Sequence, residues 1–277
     1  MSEIETLRDA LAEDFEPRAE RALARWAVTT RDDTVAGVAC QVVEPAEGAV
    51  SGTVLHFFGG GYVSGKPEFD LPITAAVAAL AKVRMVVPRY GLAPEHRFPV
   101  GLNQCIAVCR AVAMEGPYSL SGESAGGGMA LAVAHAGFAD GIRSPDAVVL
   151  YSPWSDLREA ATVRCEAIDD PTLTGDDLRV AARSYLDTAS PEDFRASPAL
   201  APVPQGWPDT LLTTCTCDLL GPTVRALAVR VEAAGAVCEL IDLDGLCHVF
   251  EVYDEYPEGI DTLRRAAAFI AARQPVT

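Results

Sequence analysis

The sequence predicts an α/β fold in which a mostly parallel sheet carries helices on both faces. Short apolar runs alternate with helix-forming segments along most of the 277 residues, which is typical of strands joined by crossover helices. One of these runs ends at a Gly-x-Ser-x-Gly turn, residues 122–126, and a helix-forming segment follows it. The strand-like segments together predict an eight-stranded sheet flanked by helices.

The amino-terminal part is predicted to contain helix followed by a hairpin. From Glu3 to Arg25 the apolar positions recur at near-helical spacing that Pro17 interrupts, so we expect one or two amphipathic helices. The segments Trp26–Thr30 and Val35–Val43, separated by the polar residues 31–33, indicate an antiparallel pair with its turn at those polar residues.

The central part alternates strands and helices without interruption. Its predicted elements are the strand Gly52–Phe58, the glycine loop 59–61, the helix Leu71–Val83, the strand Arg84–Pro88, the loop Arg89–Pro99, the helix Val100–Met114, the Gly-x-Ser-x-Gly strand and helix, and the strand Ala147–Tyr151. This order favours parallel strands connected by helices.

The alternation fails between Asp156 and Trp207, where the chain is polar and rich in proline. One helix, Gly175–Leu186, is clear in this segment, and an insertion of such length between strands is more typical of a lid or pocket wall than of core. The last predicted elements are the strand Thr210–Thr214, the helix Pro222–Ala234, the strand Val237–Leu243 and the helix Glu258–Arg273.

Composition and charge limit the classes of function. The formal net charge is −17 at pH 7 and Lys and Arg form no cluster, so we expect no nucleic-acid partner. No apolar run reaches the ~18 residues of a membrane span and no signal peptide is visible, so we expect a cytoplasmic protein. The eight cysteines lack metal-site spacing, and we predict no metal site.

Ser124 is the predicted nucleophile. Glycines at 122 and 126 allow a turn tight enough to lift its hydroxyl above the sheet, with a helix N-terminus beneath it. The pattern is short and also occurs in ordinary strand-to-helix turns, so partner residues must decide its meaning.

A serine hydroxyl needs a base, and the base needs an acid. Of the four histidines, His248 is favoured because it follows a strand at the sheet edge where Ser124 also lies, whereas His56 lies within a strand and His135 within a helix. Asp218 follows the preceding strand and is the predicted acid. Taken singly, Asp218 is also plausible as a helix-capping residue, and His248 is also plausible as a structural histidine in a loop. Asp242 and Asp244 are weaker candidates for the acid.

Acyl transfer also needs hydrogen-bond donors for the developing oxyanion. The glycine loop supplies unhindered backbone amides next to the predicted nucleophile strand, and we assign the oxyanion hole to Gly60, Gly61 and Ala125. A glycine triplet alone is equally a tight turn, so this assignment depends on Ser124.

Taken together, these motifs resemble the hormone-sensitive lipase family of α/β-hydrolases, in which the order is Ser, Asp, His. The matching segments are Phe58–Tyr62, Arg89–His96, Gly122–Gly126, Ser152–Leu157, Asp218 and His248–Phe250. The chain departs from the family at Phe58, where a histidine is usual, at Glu123, where aspartate is usual, and at Gly91, where arginine is frequent.

The resemblance implies a single domain over residues 1–277, with a helical cap at about 1–25 and 157–205 and a catalytic core at about 26–156 and 206–277. It implies a serine carboxylesterase that hydrolyses short- to medium-chain esters without a cofactor. An amide or arylformamide hydrolase, an acyltransferase and a non-catalytic receptor remain alternatives. The expected partner is a small ester, and a homodimer is left open.

Overall fold

Eight strands form one sheet in the computed structural model, which describes residues 3–48, 50–165 and 168–274. The strands are β1 (Val28–Val35), β2 (Val38–Pro45), β3 (Thr53–Phe57), β4 (Arg84–Pro88), β5 (Tyr118–Glu123), β6 (Val148–Tyr151), β7 (Thr210–Cys215) and β8 (Cys238–Leu243). Their spatial order is β1-β2-β4-β3-β5-β6-β7-β8, and only the β1–β2 and β2–β4 pairs are antiparallel. The predicted α/β fold with a mostly parallel eight-stranded sheet is confirmed.

Helices cover both faces of this sheet. They are α1 (Glu3–Arg25), α2 (Leu71–Ala81), α3 (Val100–Glu115), α4 (Ser124–Asp140), α5 (Glu159–Cys165), α6 (Gly175–Leu186), α7 (Gly221–Ala233) and α8 (Pro257–Ala271). Buried side chains of α3, α4 and α7 form one core, and those of α1, α2 and α8 form a second core on the other face. The central strands are buried on both faces, which explains why they are continuous apolar runs in the sequence.

The hairpin turn was predicted at the wrong place. Residues 31–33 lie within β1, and the turn is the two-residue loop Ala36-Gly37, both with positive φ (51° and 79°). Two-residue hairpin loops favour this backbone because it matches strand twist, and glycine adopts it without strain. The polar residues of β1 misled the prediction because this edge strand is exposed and tolerates them.

The amino-terminal segment is one helix rather than two, since α1 continues through Pro17. In the proline-rich segment, α6 has the predicted bounds and begins with a capping box between Thr174 and Asp177. The sequence prediction missed the short helix α5, which has only two turns and a weak pattern. Among the residues described, no helix has the length and apolar character to cross a membrane.

Parallel pairing of β5, β6, β7 and β8 brings their carboxyl ends to one edge of the sheet. The chain leaves this edge at Ser124 after β5, in the loop containing Asp218 after β7, and in the loop containing His248 after β8. The topology therefore gathers the three predicted residues at one place.

Candidate active site

The turn between β5 and α4 is strained, and only glycine fits at positions 122 and 126. Ser124 has φ 50°, a conformation rare for residues with a side chain. A Cβ on Gly122 would lie 2.3 Å from the carbonyl oxygen of Gly126, and one on Gly126 would lie 1.9 Å from that of Phe57. These close backbone contacts are the physical reason for the Gly-x-Ser-x-Gly pattern.

Ser124, His248 and Asp218 form a continuous hydrogen-bonded chain. His248 Nε2 lies 2.9 Å from Ser124 Oγ, and His248 Nδ1 lies 3.0 Å from Asp218 Oδ1. Asp218 is fully buried, and the exposed fraction of His248 is 9%. With Nδ1–H donating to Asp218, Nε2 is free to accept the serine proton, so this arrangement can activate a nucleophile.

The surroundings of Asp218 favour its ionised form. Burial works to raise its pKa, but the charge of His248 and hydrogen bonds to the carboxylate outweigh burial and hold the pKa below its ordinary value. The Leu220 amide donates to Oδ1 at 2.9 Å, and the Thr214 hydroxyl donates to Oδ2 at 2.8 Å. For His248, burial lowers the pKa while Asp218 raises it, and the net effect is a raised pKa.

The glycine loop after β3 presents free amides near Ser124. Gly60 and Gly61 have φ of 98° and 64°, and the Gly60 carbonyl accepts hydrogen bonds from the amides of Val63 (3.1 Å) and Ser64 (2.9 Å). Within the described ranges, no protein acceptor takes a hydrogen bond from the amides of Gly60 or Gly61. Ala125 lies in the first turn of α4, where helix amides have no partner within the helix.

Two aromatic residues hold the glycine loop, one of them Phe58 at the position where the hormone-sensitive lipase family usually has histidine. The Phe58 ring stacks on the Tyr90 ring with 4.3 Å between centroids, and the Tyr90 hydroxyl donates to the Phe58 carbonyl at 2.6 Å. On the other side, the backbone of Gly59 donates to the carboxyl group of Glu123. The stack and these hydrogen bonds fix the loop against β5 without an imidazole.

A cavity of about 200 Å³ opens onto Ser124 and His248. Its walls are mostly apolar, which suits an acyl or alkyl group. The apolar lining comes from Leu7, Leu11 and Phe15 of α1, Leu178 and Ala181 of α6, and Leu173, Val252 and Tyr253. Both segments predicted as cap thus contribute residues to the walls of this cavity. Residues 1–2 and 166–167 of these segments lie outside the described residues.

The other sequence candidates lie elsewhere. His56 bonds to Ser121 (2.8 Å) and Asp70 (2.7 Å), a second serine–histidine–aspartate chain that is fully buried and closed to substrate. Burial lowers the pKa of His56 to about 3, so this histidine stays neutral. Asp242 pairs with Arg225 at 2.7 Å, and Asp244 accepts from the Thr216 hydroxyl at 2.8 Å, so neither contacts His248.

Sequence reasoning missed two buried carboxyl groups near the site, those of Asp170 and Glu251, and noted Glu123 only as a departure from the family pattern. One carboxyl oxygen of Asp170, one of Asp218 and one ring nitrogen of His248 lie within 4.8 Å of one another. His248 is hydrogen-bonded to both Asp218 and Ser124, so Asp170 is an additional carboxyl group beside this hydrogen-bonded chain. An isolated acidic residue carries no sequence signal of burial, which is why Asp170 and Glu251 were not found.

Replacing Glu251 with Gln is expected to stabilise the protein at alkaline pH. Burial raises the pKa of Glu251 to about 7, so the folded protein keeps a proton that the unfolded chain releases near pH 4.5. The contribution of Glu251 to the free energy of unfolding is fully present below pH 4.5 and is lost as the pH rises to about 7. Glu251→Gln should therefore gain on the order of 3 kcal/mol at pH 8 and little at pH 5.

Urea unfolding at pH 5 and pH 8 measures this difference. Glu20→Gln, a change of the same kind at an exposed position of α1, is the control and should show no pH-dependent gain. Equal effects of Glu251→Gln at both pH values would contradict the expectation.

This chain is similar to known hydrolases and esterases. A family model for the alpha/beta hydrolase fold matches residues 54–252. An acetyl-hydrolase of Streptomyces hygroscopicus is 30% identical over 260 residues, covering 91% of this chain and 86% of that protein. Human hormone-sensitive lipase is 33% identical over 129 residues, 43% of this chain and 12% of its own length. The crystal structure of an esterase from the bacterial hormone-sensitive lipase family superposes with a TM-score of 0.85 at 26% identity, covering 98% of this chain and 97% of that one.

Proposed function

The chain belongs to the hormone-sensitive lipase family of α/β hydrolases and is a carboxylic ester hydrolase, and from this premise we propose that it cleaves short-chain esters through an acyl-enzyme formed on Ser124. The observation that carries the proposal is the hydrogen-bonded chain from Ser124 through His248 to Asp218. The mostly apolar cavity over Ser124 supports an ester with a small acyl group.

In the proposed acylation step, Ser124 Oγ attacks the ester carbonyl carbon while His248 Nε2 takes the hydroxyl proton. Asp218 stabilises the resulting imidazolium and keeps Nδ1 protonated. The carbonyl electron pair moves to oxygen, and the amides of Gly60, Gly61 and Ala125 donate to this oxyanion. The intermediate collapses, the bond to the alcohol oxygen breaks, and His248 returns its proton to the departing alcohol.

Deacylation repeats these steps with water as the nucleophile. His248 takes a proton from water as the oxygen attacks the acyl carbon, and the same amides bind the second oxyanion. When the bond to Ser124 Oγ breaks, His248 returns the proton to the serine, and the carboxylic acid leaves. Each cycle consumes one ester and one water and needs no redox or metal chemistry from these residues.

A series of p-nitrophenyl esters from acetate to palmitate tests this function. The cavity of about 200 Å³ is smaller than the roughly 300–1,000 Å³ of typical small-molecule pockets, so we expect the highest kcat/KM for acetate to butyrate and at least tenfold lower values from decanoate upward. A matched arylformamide should be hydrolysed more slowly than the ester. Faster cleavage of the formamide, or a preference for palmitate, would contradict the proposal.

A further inference from the structure

Asp170 lies beside the proposed catalytic chain but outside it. Its residue is buried, with 8% exposed, and it precedes α6 in the segment between β6 and β7. One carboxyl oxygen of Asp170, one of Asp218 and one ring nitrogen of His248 lie within 4.8 Å of one another. A second carboxyl group therefore faces the same imidazole as Asp218.

The hydrogen bonds of Asp170 tie two loops together. Oδ2 accepts from the Leu219 amide at 2.9 Å, and Oδ1 accepts from the amide and the hydroxyl of Thr172, both at 2.9 Å. The next amide, that of Leu220, donates to Asp218. Two carboxyl groups thus share one backbone turn, and this turn sets where Asp218 meets His248.

The same segment reaches the substrate cavity. Thr172 and Leu173 line the cavity, and Asp170 is two residues before Thr172. Its carboxyl group therefore connects the cavity wall to the turn that carries Asp218. A shift of that wall would therefore be transmitted to His248 through the side chain of Asp170.

We propose that Asp170 is a positioning residue, which holds the turn of Asp218 and adds a second negative charge beside His248 during the proton transfers. This proposal rests on the proposed function of Ser124. Charge next to the imidazole favours the imidazolium that forms when Ser124 loses its proton. Asp170 acts on the reaction through His248 and touches no reacting atom.

Four acidic groups face His248 from the elements packed around it, namely Asp218, Asp170, Glu123 and Glu251. Burial raises the pKa of Glu123 well above its ordinary value and that of Glu251 to about 7. Burial therefore works against the charged form of both groups. Asp218 and Asp170 instead accept hydrogen bonds from backbone amides, which favour the charged carboxylate.

The test compares Asp170→Asn with the wild type in kcat/KM for p-nitrophenyl butyrate between pH 5 and 9 at constant ionic strength. Removing the charge should move the acid limb of the profile down by about one pH unit and lower kcat about tenfold, with KM unchanged within about twofold. Asp169→Asn makes the same charge change at the exposed neighbour and should leave the profile in place. Asp170→Glu keeps the charge and should keep the acid limb at the wild-type pH.

Three results would overturn the inference. The first is a lower kcat in Asp170→Asn with an unmoved acid limb, which would indicate a purely structural tie. The second is an equal shift in Asp169→Asn, which would indicate a general charge effect. The third is an unfolded Asp170→Asn beside a folded Asp169→Asn, which would make Asp170 a folding residue. The proposed function fails separately, through a wild type without ester turnover.

Discussion

Ser124→Ala is expected to lower kcat for p-nitrophenyl butyrate by at least about 10⁴-fold, because the variant has no hydroxyl to attack the ester carbonyl. His248 and Asp218 would remain bonded to each other at their present positions, since alanine at position 124 removes only the hydroxyl oxygen. The residual rate would come from the amides of the glycine loop and from substrate binding. The loss is measured from initial rates of hydrolysis, corrected for the uncatalysed rate in blanks without enzyme.

A matched control is Ser64→Ala. Ser64 also lines the cavity, and its hydroxyl donates to the Gly60 carbonyl at 2.7 Å, but it lies outside the bonded chain of Ser124. We expect a loss of less than about tenfold for this variant, through a small shift of the glycine loop. Near-wild-type turnover by Ser124→Ala, or an equal loss in both variants, would refute the role proposed for Ser124.

The sequence was sufficient for the fold because the central strands are buried on both faces. Such strands appear as apolar runs, and the helices between them are long, so the predicted bounds of β3, β4, β6, β7 and β8 agree with the structure within one residue. The strained turn at Ser124 could also be predicted, because its close backbone contacts need the glycines at 122 and 126 that are visible in the sequence. The sheet topology then explains why Asp218 and His248 lie beside it.

The sequence was insufficient where burial and hydrogen bonding decide a residue's role. The sequence placed His56 within a strand, but it did not predict that His56 bonds to a buried serine and a buried aspartate, as His248 does at the cavity. Asp170 is separated from Asp218 by 48 positions, and no periodicity relates the two loops. The hairpin turn failed for a related reason, since Ala36-Gly37 is a weaker turn signal than three charged residues.

Phe58, the departure from the family pattern, holds the glycine loop by aromatic stacking. Stacking on Tyr90 and the hydrogen bond from its hydroxyl fix the loop from outside, while Glu123 fixes Gly59 from the side of β5. A Cβ at Gly59 would lie 1.9 Å from Glu123 Oε1, so loop and strand are in direct contact. The position of the amides therefore depends on close packing between β3, β5 and α4.

Gly126→Ala should test that dependence with a large effect. The added methyl group would lie 1.9 Å from the Phe57 carbonyl oxygen and 2.4 Å from that of Phe58, and both atoms are backbone at the start of the glycine loop. The loop and α4 must separate, which moves Gly60 and Gly61 away from the oxyanion. A misplacement of about 1 Å costs about 10²-fold in rate, and overpacking costs about 3 kcal/mol in stability.

Gly137→Ala in the same helix is the matched control. Its Cβ would lie 3.8 Å from Ile142, an ordinary contact, so the substitution should stabilise α4 by up to about 1 kcal/mol and leave kcat/KM unchanged. Urea unfolding and ester turnover of both variants separate the effect of a methyl group in α4 from its effect at the loop. If Gly126→Ala matched Gly137→Ala in both measurements, the glycine loop would not owe its position to the contact with Gly126, and its amides would need another support.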